Sequence, residues 1–198
     1  MIAVIDYGMG NLRSVAKALE AAGAADVRIT SDPKIINQAD KIVLPGVGAI
    51  KEAMRELRRL GLIKIIKDNI FKKPFLGICL GLQLLFSESE EGGKVKGLGI
   101  FPGIVRRFPD KLKVPHMGWN QIKVKKGKIL KNIPKNAYFY FCHSYYVVPK
   151  DKGLIAAATD YGKEFVSAIA KDNLFACQFH PEKSQASGLR LLKNFVKI

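Results

Sequence analysis

The sequence is poor in cysteine. It has only Cys79, Cys142 and Cys177, and they show no close CxxC spacing. Three cysteines cannot all pair with one another, which argues against a small disulfide-stabilised protein. A reducing compartment, the cytoplasm, is therefore the expected location.

Long apolar runs are also missing. No stretch approaches the roughly 18 consecutive apolar residues that a membrane-spanning helix needs, so we expect no membrane association. The first six residues, MIAVID, contain no basic segment and reach Asp6 at once. A secretory signal peptide begins differently, so we expect none here.

Acidic residues are few: 17 stand against 33 basic ones, which gives a formal net charge of +16. Such an excess is typical of nucleic-acid binding, but also of a lysine-rich surface or of a face that docks an acidic partner. The basic residues are scattered and accompany no RNA-binding or zinc-finger spacing. We therefore expect no nucleic-acid partner.

Apolar strand patterns alternate with amphipathic helix patterns through the first ninety residues. The predicted strands are Met1–Asp6, Val27–Thr30, Lys41–Leu44 and Pro74–Ile78, and the predicted helices are Asn11–Ala22, Ala49–Leu60, Leu62–Phe71 and Leu80–Glu90. This alternation predicts an α/β fold: an open, largely parallel sheet with helices on both faces.

After Glu91 the pattern changes to closely spaced strands. They are predicted at 100–108, 121–124, 138–148, 154–159, 165–170 and 174–179, with a closing helix at 189–196. Such dense strands predict an antiparallel extension that makes the sheet mixed. No linker is long enough to divide the chain, so we expect one domain covering residues 1–198.

One cysteine lies in a setting that favours chemistry. Gly77-Ile78-Cys79-Leu80-Gly81 follows a predicted strand and precedes a predicted helix, which is the cysteine form of the nucleophile elbow. The two glycines allow the sharp turn, and the helix N-terminus favours a thiolate. The Leu80 N–H is then a candidate donor to an oxyanion. Cys142 and Cys177, by contrast, are interpreted as small buried apolar residues.

A nucleophilic thiol needs a base, and His180 is the candidate. It ends the apolar run 174–179, and Glu182 follows two residues later. In an extended segment, side chains two apart share a face, so Glu182 can orient the imidazole. The alternatives are a strand-end histidine with a purely structural role, or a metal site built from Cys79, His143 and His180, for which paired-ligand spacing is lacking.

Five stretches, taken together, resemble a known family. PGVG at 45–48, GICLGLQ at 77–83 and HPEKS at 180–184 are similar to the class I, or triad, glutamine amidotransferases. DYGMGNLRSV at 6–15 and VPHMGWN at 114–120 resemble, within that family, the glutaminase subunits of imidazole glycerol phosphate synthase. The resemblance extends over essentially the whole chain.

The resemblance implies roles for individual residues. It implies a triad of Cys79, His180 and Glu182; oxyanion-site backbone groups from Gly46, Val47, Gly48 and Leu80; substrate-binding residues Gln83, His143, Ser144 and Tyr145; and partner-facing residues Asn11, Trp119 and Lys183. For Trp119, an ordinary core position is the alternative.

The resemblance also implies an activity. The chain would hydrolyse L-glutamine to glutamate and ammonia, with no metal and no cofactor. It would pass the ammonia to a (β/α)₈-barrel cyclase subunit in a heterodimer that serves histidine biosynthesis. The alternatives are a glutaminase subunit for anthranilate, aminodeoxychorismate or pyridoxal phosphate synthesis, a peptidase that acts without a synthase, and an inactive binding module.

Overall fold

The parallel half of the main sheet contains five strands. The computed structural model describes all 198 residues. The strands are β1 (Ile2–Ile5), β2 (Val27–Thr30), β3 (Lys41–Leu44), β4 (Phe75–Ile78) and β14 (Leu174–Cys177). They lie in the order β2-β1-β3-β4-β14, all parallel. β1, β4 and β14 are buried throughout, which explains why their sequences are continuous apolar runs.

Helices cover both faces of this half. They are α1 (Leu12–Ala21), α2 (Pro33–Gln38), α3 (Ile50–Arg59), α4 (Leu62–Asn69), α5 (Leu80–Gln83) and α6 (Gln185–Lys197). The apolar side chains of α1 and α6 join one core, whereas those of α2, α3 and α4 join a second core. Two cores on one sheet are what a doubly covered α/β sheet requires.

The rest of the main sheet is mixed. It contains β5 (Phe86–Ser89), β6 (Val95–Lys96), β7 (Phe101–Arg107), β9 (Lys123–Val124), β11 (Tyr145–Pro149), β12 (Ile155–Asp160) and β13 (Glu164–Lys171). From β14 the sheet continues as β13-β11-β7-β5-β6, and β12 joins β13 to β9. Most of these neighbours are antiparallel, which confirms the predicted fold class.

A separate pair of strands stands beside the main sheet. β8 (His116–Gln121) and β10 (Tyr138–His143) pair antiparallel and are called the ribbon below. Alternate side chains point to opposite faces. The inner face is buried and carries His116, Phe139, Phe141 and His143. The outer face carries Met117, Trp119, Tyr138 and Tyr140.

The helix predicted over 80–90 and the strand predicted over 138–148 were wrong in extent. The helix predicted over 80–90 ends at Gln83, and β5 takes the following residues into the sheet. Leu82, Leu84, Leu85 and Phe86 are all fully buried, so the sequence has no helical period to separate helix from strand there. The strand predicted over 138–148 divides at Ser144, because the chain passes from the ribbon into the main sheet.

Helix α2 was not predicted, although its start has a recognisable signal. Asp32 accepts a hydrogen bond from the Lys34 N–H, and Pro33 occupies the first helical position. β6 and most of β8 were also missed.

None of the helices combines the length and apolar composition that crossing a membrane requires.

Candidate active site

The turn between β4 and α5 presents Cys79 in a strained conformation. Its backbone has φ 53° and ψ −106°, and its N–H donates to the Cys177 carbonyl at 2.8 Å. A side chain on Gly81 would overlap the Leu44 carbonyl oxygen, and one on Gly77 would lie 2.9 Å from the Ala176 side chain. The two glycines are therefore required where the elbow packs against the neighbouring strands.

His180 and Glu182 form a buried pair directly after β14. The imidazole Nδ1 lies 2.8 Å from Glu182 Oε1, and the two side chains are 4% and 2% exposed. Since a carboxylate only accepts, the Nδ1 proton points to Glu182. The predicted fully extended segment is wrong: His180 is extended, but Pro181–Lys183 form one 3₁₀ turn that brings the carboxylate back to the ring.

The electrostatics of His180 depend on its two neighbours. Burial alone lowers the pKa of an imidazole, but hydrogen bonds and charge interactions with Cys79 and Glu182 raise the pKa of His180 to about 10. His180 is therefore protonated at neutral pH. A cation at this position favours negative charge on the adjacent sulfur.

Cys79 and His180 open onto one cavity of about 410 Å³. This volume falls in the range of small-molecule sites. The cavity is lined by Val47, Gly48, Ala49, Cys79, Leu80, Gln83, Glu91, Pro115, Cys142, His143, Ser144, Tyr145, His180 and Lys183. It thus brings together most of the predicted catalytic, oxyanion and substrate residues. A second cavity, of about 420 Å³, is lined by lysines, aspartates, an asparagine and apolar residues and contains neither cysteine nor histidine.

The loop 45–48 lies against the elbow with its carbonyl groups turned inward. The Leu80 N–H donates to the Gly46 carbonyl at 3.3 Å. The preceding carbonyl, of Pro45, accepts from the Tyr7 hydroxyl at 2.9 Å. A side chain on Gly46 would overlap that hydroxyl. The Leu80 N–H predicted to serve an oxyanion is therefore occupied by the loop in this conformation.

The predicted substrate residues hold one another at the cavity wall. Gln83 Nε2 lies 3.1 Å from the Tyr145 carbonyl and 3.1 Å from Gln178 Oε1. His143 Nδ1 lies 2.7 Å from the same Tyr145 carbonyl. Ser144 lines the cavity between them. Gln83 and His143 thus brace the point where the chain leaves the ribbon.

His143 also belongs to a buried imidazole pair. Its Nε2 lies 3.0 Å from His116 Nδ1. Burial lowers the pKa of His143 to about 3 and that of His116 to about 4, so both rings are neutral at pH 7. The sequence reasoning missed His116 as part of the site. It also missed Gln178, a polar residue inside an apolar run, whose Nε2 lies 3.6 Å from Cys79 Sγ.

The three predicted partner-facing residues lie near one another. Trp119 is 46% exposed on the outer face of the ribbon, so its alternative core position is wrong. Lys183 Nζ lies 5.6 Å from the ring centre of Tyr140, which pairs with Trp119 across the ribbon. Asn11 is exposed at the start of α1, the helix that packs on the 3₁₀ turn carrying Lys183.

No group of three or more His, Cys, Asp or Glu side chains is arranged to hold a metal ion. The three cysteines are free; Cys177 is buried, as predicted, whereas Cys142 is half-buried.

Comparison with known proteins adds independent information. The family model described as "Glutamine amidotransferase class-I" matches residues 3–198. The chain is 56% identical over 200 residues to "Imidazole glycerol phosphate synthase subunit HisH" of Acinetobacter baylyi, with 99% of this chain and 97% of that protein covered. It is 55% identical over 194 residues to the Aquifex aeolicus protein of the same name, with coverages of 97% and 94%.

Solved structures agree on the fold. A crystal structure of a glutamine amidotransferase aligns with a TM-score of 0.77 at 15% identity and covers 100% of both chains. A chain in the structure of PurLQS from Thermotoga maritima aligns with a TM-score of 0.75 at 17% identity, covering 99% of this chain and 96% of the other. The chain therefore belongs to the class-I glutamine amidotransferase family, in the group of the HisH subunits.

Proposed function

We propose that this chain is a single glutaminase domain that hydrolyses L-glutamine to glutamate and ammonia. Cys79 is the nucleophile, His180 the general base and acid, and Glu182 the group that orients the imidazole. The observation that carries the proposal is the convergence of the Cys79 sulfur and the His180 imidazole at one cavity, with the Glu182 carboxylate held behind the imidazole, although about a hundred residues separate Cys79 from His180.

The reaction proceeds in two halves. The Cys79 thiolate attacks the side-chain amide carbon of glutamine, and the protonated His180 donates its proton to the departing ammonia. A thioester remains. The neutral imidazole then takes a proton from water, which attacks the thioester and releases glutamate and the thiolate. Residues Gln83, His143, Ser144 and Tyr145 form the substrate wall of the cavity.

Both halves pass through an oxyanion, which needs free N–H donors. Losing one such donor typically slows a reaction by about 10²–10³-fold. Since the Leu80 N–H donates to Gly46, the peptide between Gly46 and Val47 must turn before Leu80 and the loop 46–48 can serve the oxyanion. We therefore expect slow glutamine hydrolysis by the chain alone and faster hydrolysis once a bound partner reorients the loop.

The outer face of the ribbon is the expected docking surface for that partner. Met117, Trp119 and Tyr138 are large, apolar and exposed there, and clustered exposed apolar side chains mark interaction sites. Lys183 connects this surface to the cavity, which it also lines. We propose that the partner is the barrel-shaped cyclase subunit of imidazole glycerol phosphate synthase, forming a heterodimer, and that ammonia passes into it without release to solvent. The free thiols suit a cytoplasmic enzyme.

The test is ammonia release from glutamine by the parent chain and by Cys79→Ala, each alone and with the cyclase and its nucleotide ligand. The parent should be slow alone and faster in the complex, and Cys79→Ala should release none. Cys177→Ala is the matched control, because that buried thiol does not line the cavity, and it should keep turnover. Ammonia release by Cys79→Ala at the parent rate would show that Cys79 is not the nucleophile. Activation by an anthranilate-type synthase instead of the cyclase would reassign the partner.

A further inference from the structure

Gln178 is a fully buried polar side chain in an apolar environment. It follows β14 directly, lies between Cys177 and Phe179, and has no exposed surface. Its backbone N–H donates to the Ser167 carbonyl at 2.9 Å. Burying an amide costs free energy unless its donors and acceptors are paired, so the hydrogen-bond partners of the Gln178 side chain determine how its amide is oriented.

The neighbouring groups fix which way the Gln178 amide points. The Tyr145 carbonyl only accepts, so Gln83 must present its Nε2 to it. The second N–H of that nitrogen points to Gln178 at 3.1 Å, which requires the oxygen of Gln178 on that side. The Gln178 nitrogen is thereby directed to the sulfur of Cys79, at 3.6 Å. The reverse orientation would set two N–H₂ groups against each other.

We propose that Gln178 is a further catalytic residue, whose side-chain N–H donates to the sulfur of Cys79 and stabilises the thiolate. This inference rests on the proposed function, in which Cys79 is the nucleophile. Two donors then flank the sulfur, the imidazolium of His180 and the amide of Gln178, and the Cys142 carbonyl lies 4.0 Å away as a long acceptor for the thiol. Hydrogen bonds to a charged acceptor are about twice as strong as neutral ones, so the amide favours the thiolate over the thiol.

The same preference operates late in the reaction. When water has attacked the thioester carbon, the carbon–sulfur bond breaks and its electron pair returns to the sulfur. The sulfur is neutral in the thioester and charged as it departs, so a fixed N–H donor stabilises the departing state more than the thioester. Gln178 therefore acts on both halves of the reaction. Gln83 ties this donor to the substrate wall of the cavity.

The test measures Cys79 directly and needs no glutamine. Alkylation of Cys79 by iodoacetamide is followed against pH by mass spectrometry of the Cys79 peptide, in the parent, Gln178→Met and Gln178→Glu. Methionine is close in size and has no donor. We expect the midpoint of the pH profile to rise by about one unit in Gln178→Met, which slows alkylation about tenfold below the midpoint. The shift should be larger in Gln178→Glu, which adds a like charge.

Ser167→Ala is the matched control, because the Ser167 hydroxyl is buried nearby without a partner. It should alkylate as the parent does. An unchanged midpoint in folded Gln178→Met, or an equal shift in Ser167→Ala, would overturn the role of Gln178. Neither result would contradict the glutaminase proposal, which is tested separately by measuring ammonia release.

A measurement on the parent chain covers the case in which the variants do not fold. The side-chain ¹⁵N–H resonance of Gln178 should titrate with the midpoint of Cys79 alkylation and stay constant in Cys79→Ser. If the chemical shift of this resonance does not follow the thiol titration in the parent, the proposal is likewise overturned.

Discussion

Two buried imidazole sites line the same cavity; at neutral pH one is protonated and the other is neutral. His180 and His143 are both almost completely buried. Yet the pKa of His180 is raised to about 10 through Cys79 and Glu182, whereas burial lowers the pKa of His143 to about 3. The difference lies in the partners. A carboxylate and a sulfur compensate the charge of one ring, and a carbonyl and a neutral ring cannot compensate the other.

The neutral site is a directed chain of hydrogen bonds. His143 Nδ1 donates to the Tyr145 carbonyl, so its Nε2 accepts from His116 Nδ1, and His116 Nε2 accepts from Asn120. Aromatic rings pack around the pair: Phe108, Phe141, Tyr161 and Phe165. This arrangement fixes the cavity wall without charge, whereas the charged site is the one proposed to transfer protons.

Removing the carboxylate at the charged site should have the largest effect on activity. Glu182→Gln keeps the size of the side chain but removes the compensating charge, so the imidazolium of His180 loses stabilisation, and the new amide N–H₂ can donate to Nδ1 and favour the wrong imidazole tautomer. We expect kcat/KM for glutamine in the cyclase complex to fall about 10²–10⁴-fold, as in other triads. The measurement is ammonia release at saturating partner.

Glu164→Gln serves as the control for that variant. Glu164 is a half-exposed carboxylate on β13 that pairs with Lys123 and Lys125, so its loss should leave turnover unchanged. A Glu182→Gln enzyme with parental kcat/KM would mean that His180 needs no carboxylate, and the contrast between the two imidazole sites would lose its explanation.

The sequence predicted the charged site better than the neutral one because its signals are local. Gly77, Cys79 and Gly81 lie within five residues, and His180 and Glu182 within three. The juxtaposition of His116 with His143 instead depends on the register of β8 against β10, two strands separated by sixteen residues that include the short strand β9 and one 3₁₀ turn. Cross-strand register across such a connection has no signal in one sequence.

The same distinction between local signals and contacts of distant residues explains which other features could be predicted from the sequence. Most of the parallel half was predicted because its strands are short apolar runs and its longer helices have an apolar period, as α1 does with Val15 and Leu19. The inward turn of the Gly46 carbonyl follows from Tyr7, which is distant in sequence and holds Pro45. The contact of Gln178 with Cys79 likewise joins residues 99 apart in sequence.

Acid should destabilise the fold through the neutral site. The unfolded imidazole takes up a proton near pH 6.5, but folded His143 does so only near pH 3. Between these values the unfolded state binds more protons, so the free energy of unfolding falls as pH falls. From pH 6.5 to pH 5, His143 alone should remove about 2 kcal/mol. Urea unfolding across this range measures the slope.

The two sites should change the free energy of unfolding in different pH ranges, so variants at each site can be compared. Replacing both rings, in His116→Phe with His143→Leu, should flatten the acid slope. The folded pKa of His180 is raised, so its contribution is fully present below pH 6.5 and is lost as pH rises through about 10. His180→Asn should therefore keep the parental slope below pH 6.5. Equal acid slopes in the parent and in the double variant would contradict neutral buried rings.

The smallest effect concerns the two faces of the ribbon. Trp119 is the outer-face residue whose aromatic ring is exposed beside Tyr140, so Trp119→Ala should weaken binding of the cyclase about tenfold or more, as loss of an interface tryptophan commonly does. Titration calorimetry measures the dissociation constant. Slow glutamine hydrolysis by the chain alone should not change, since Trp119 does not line the cavity.

Phe71→Ala is the matched control for Trp119→Ala. Phe71 is similarly exposed, at 42%, but it follows α4 and lies outside the ribbon. It should bind the cyclase as the parent does. If Trp119→Ala and Phe71→Ala both bind the cyclase as tightly as the parent does, the partner contacts another surface of the chain. If only Trp119→Ala binds weakly, the outer face docks the partner while the inner face holds the cavity wall.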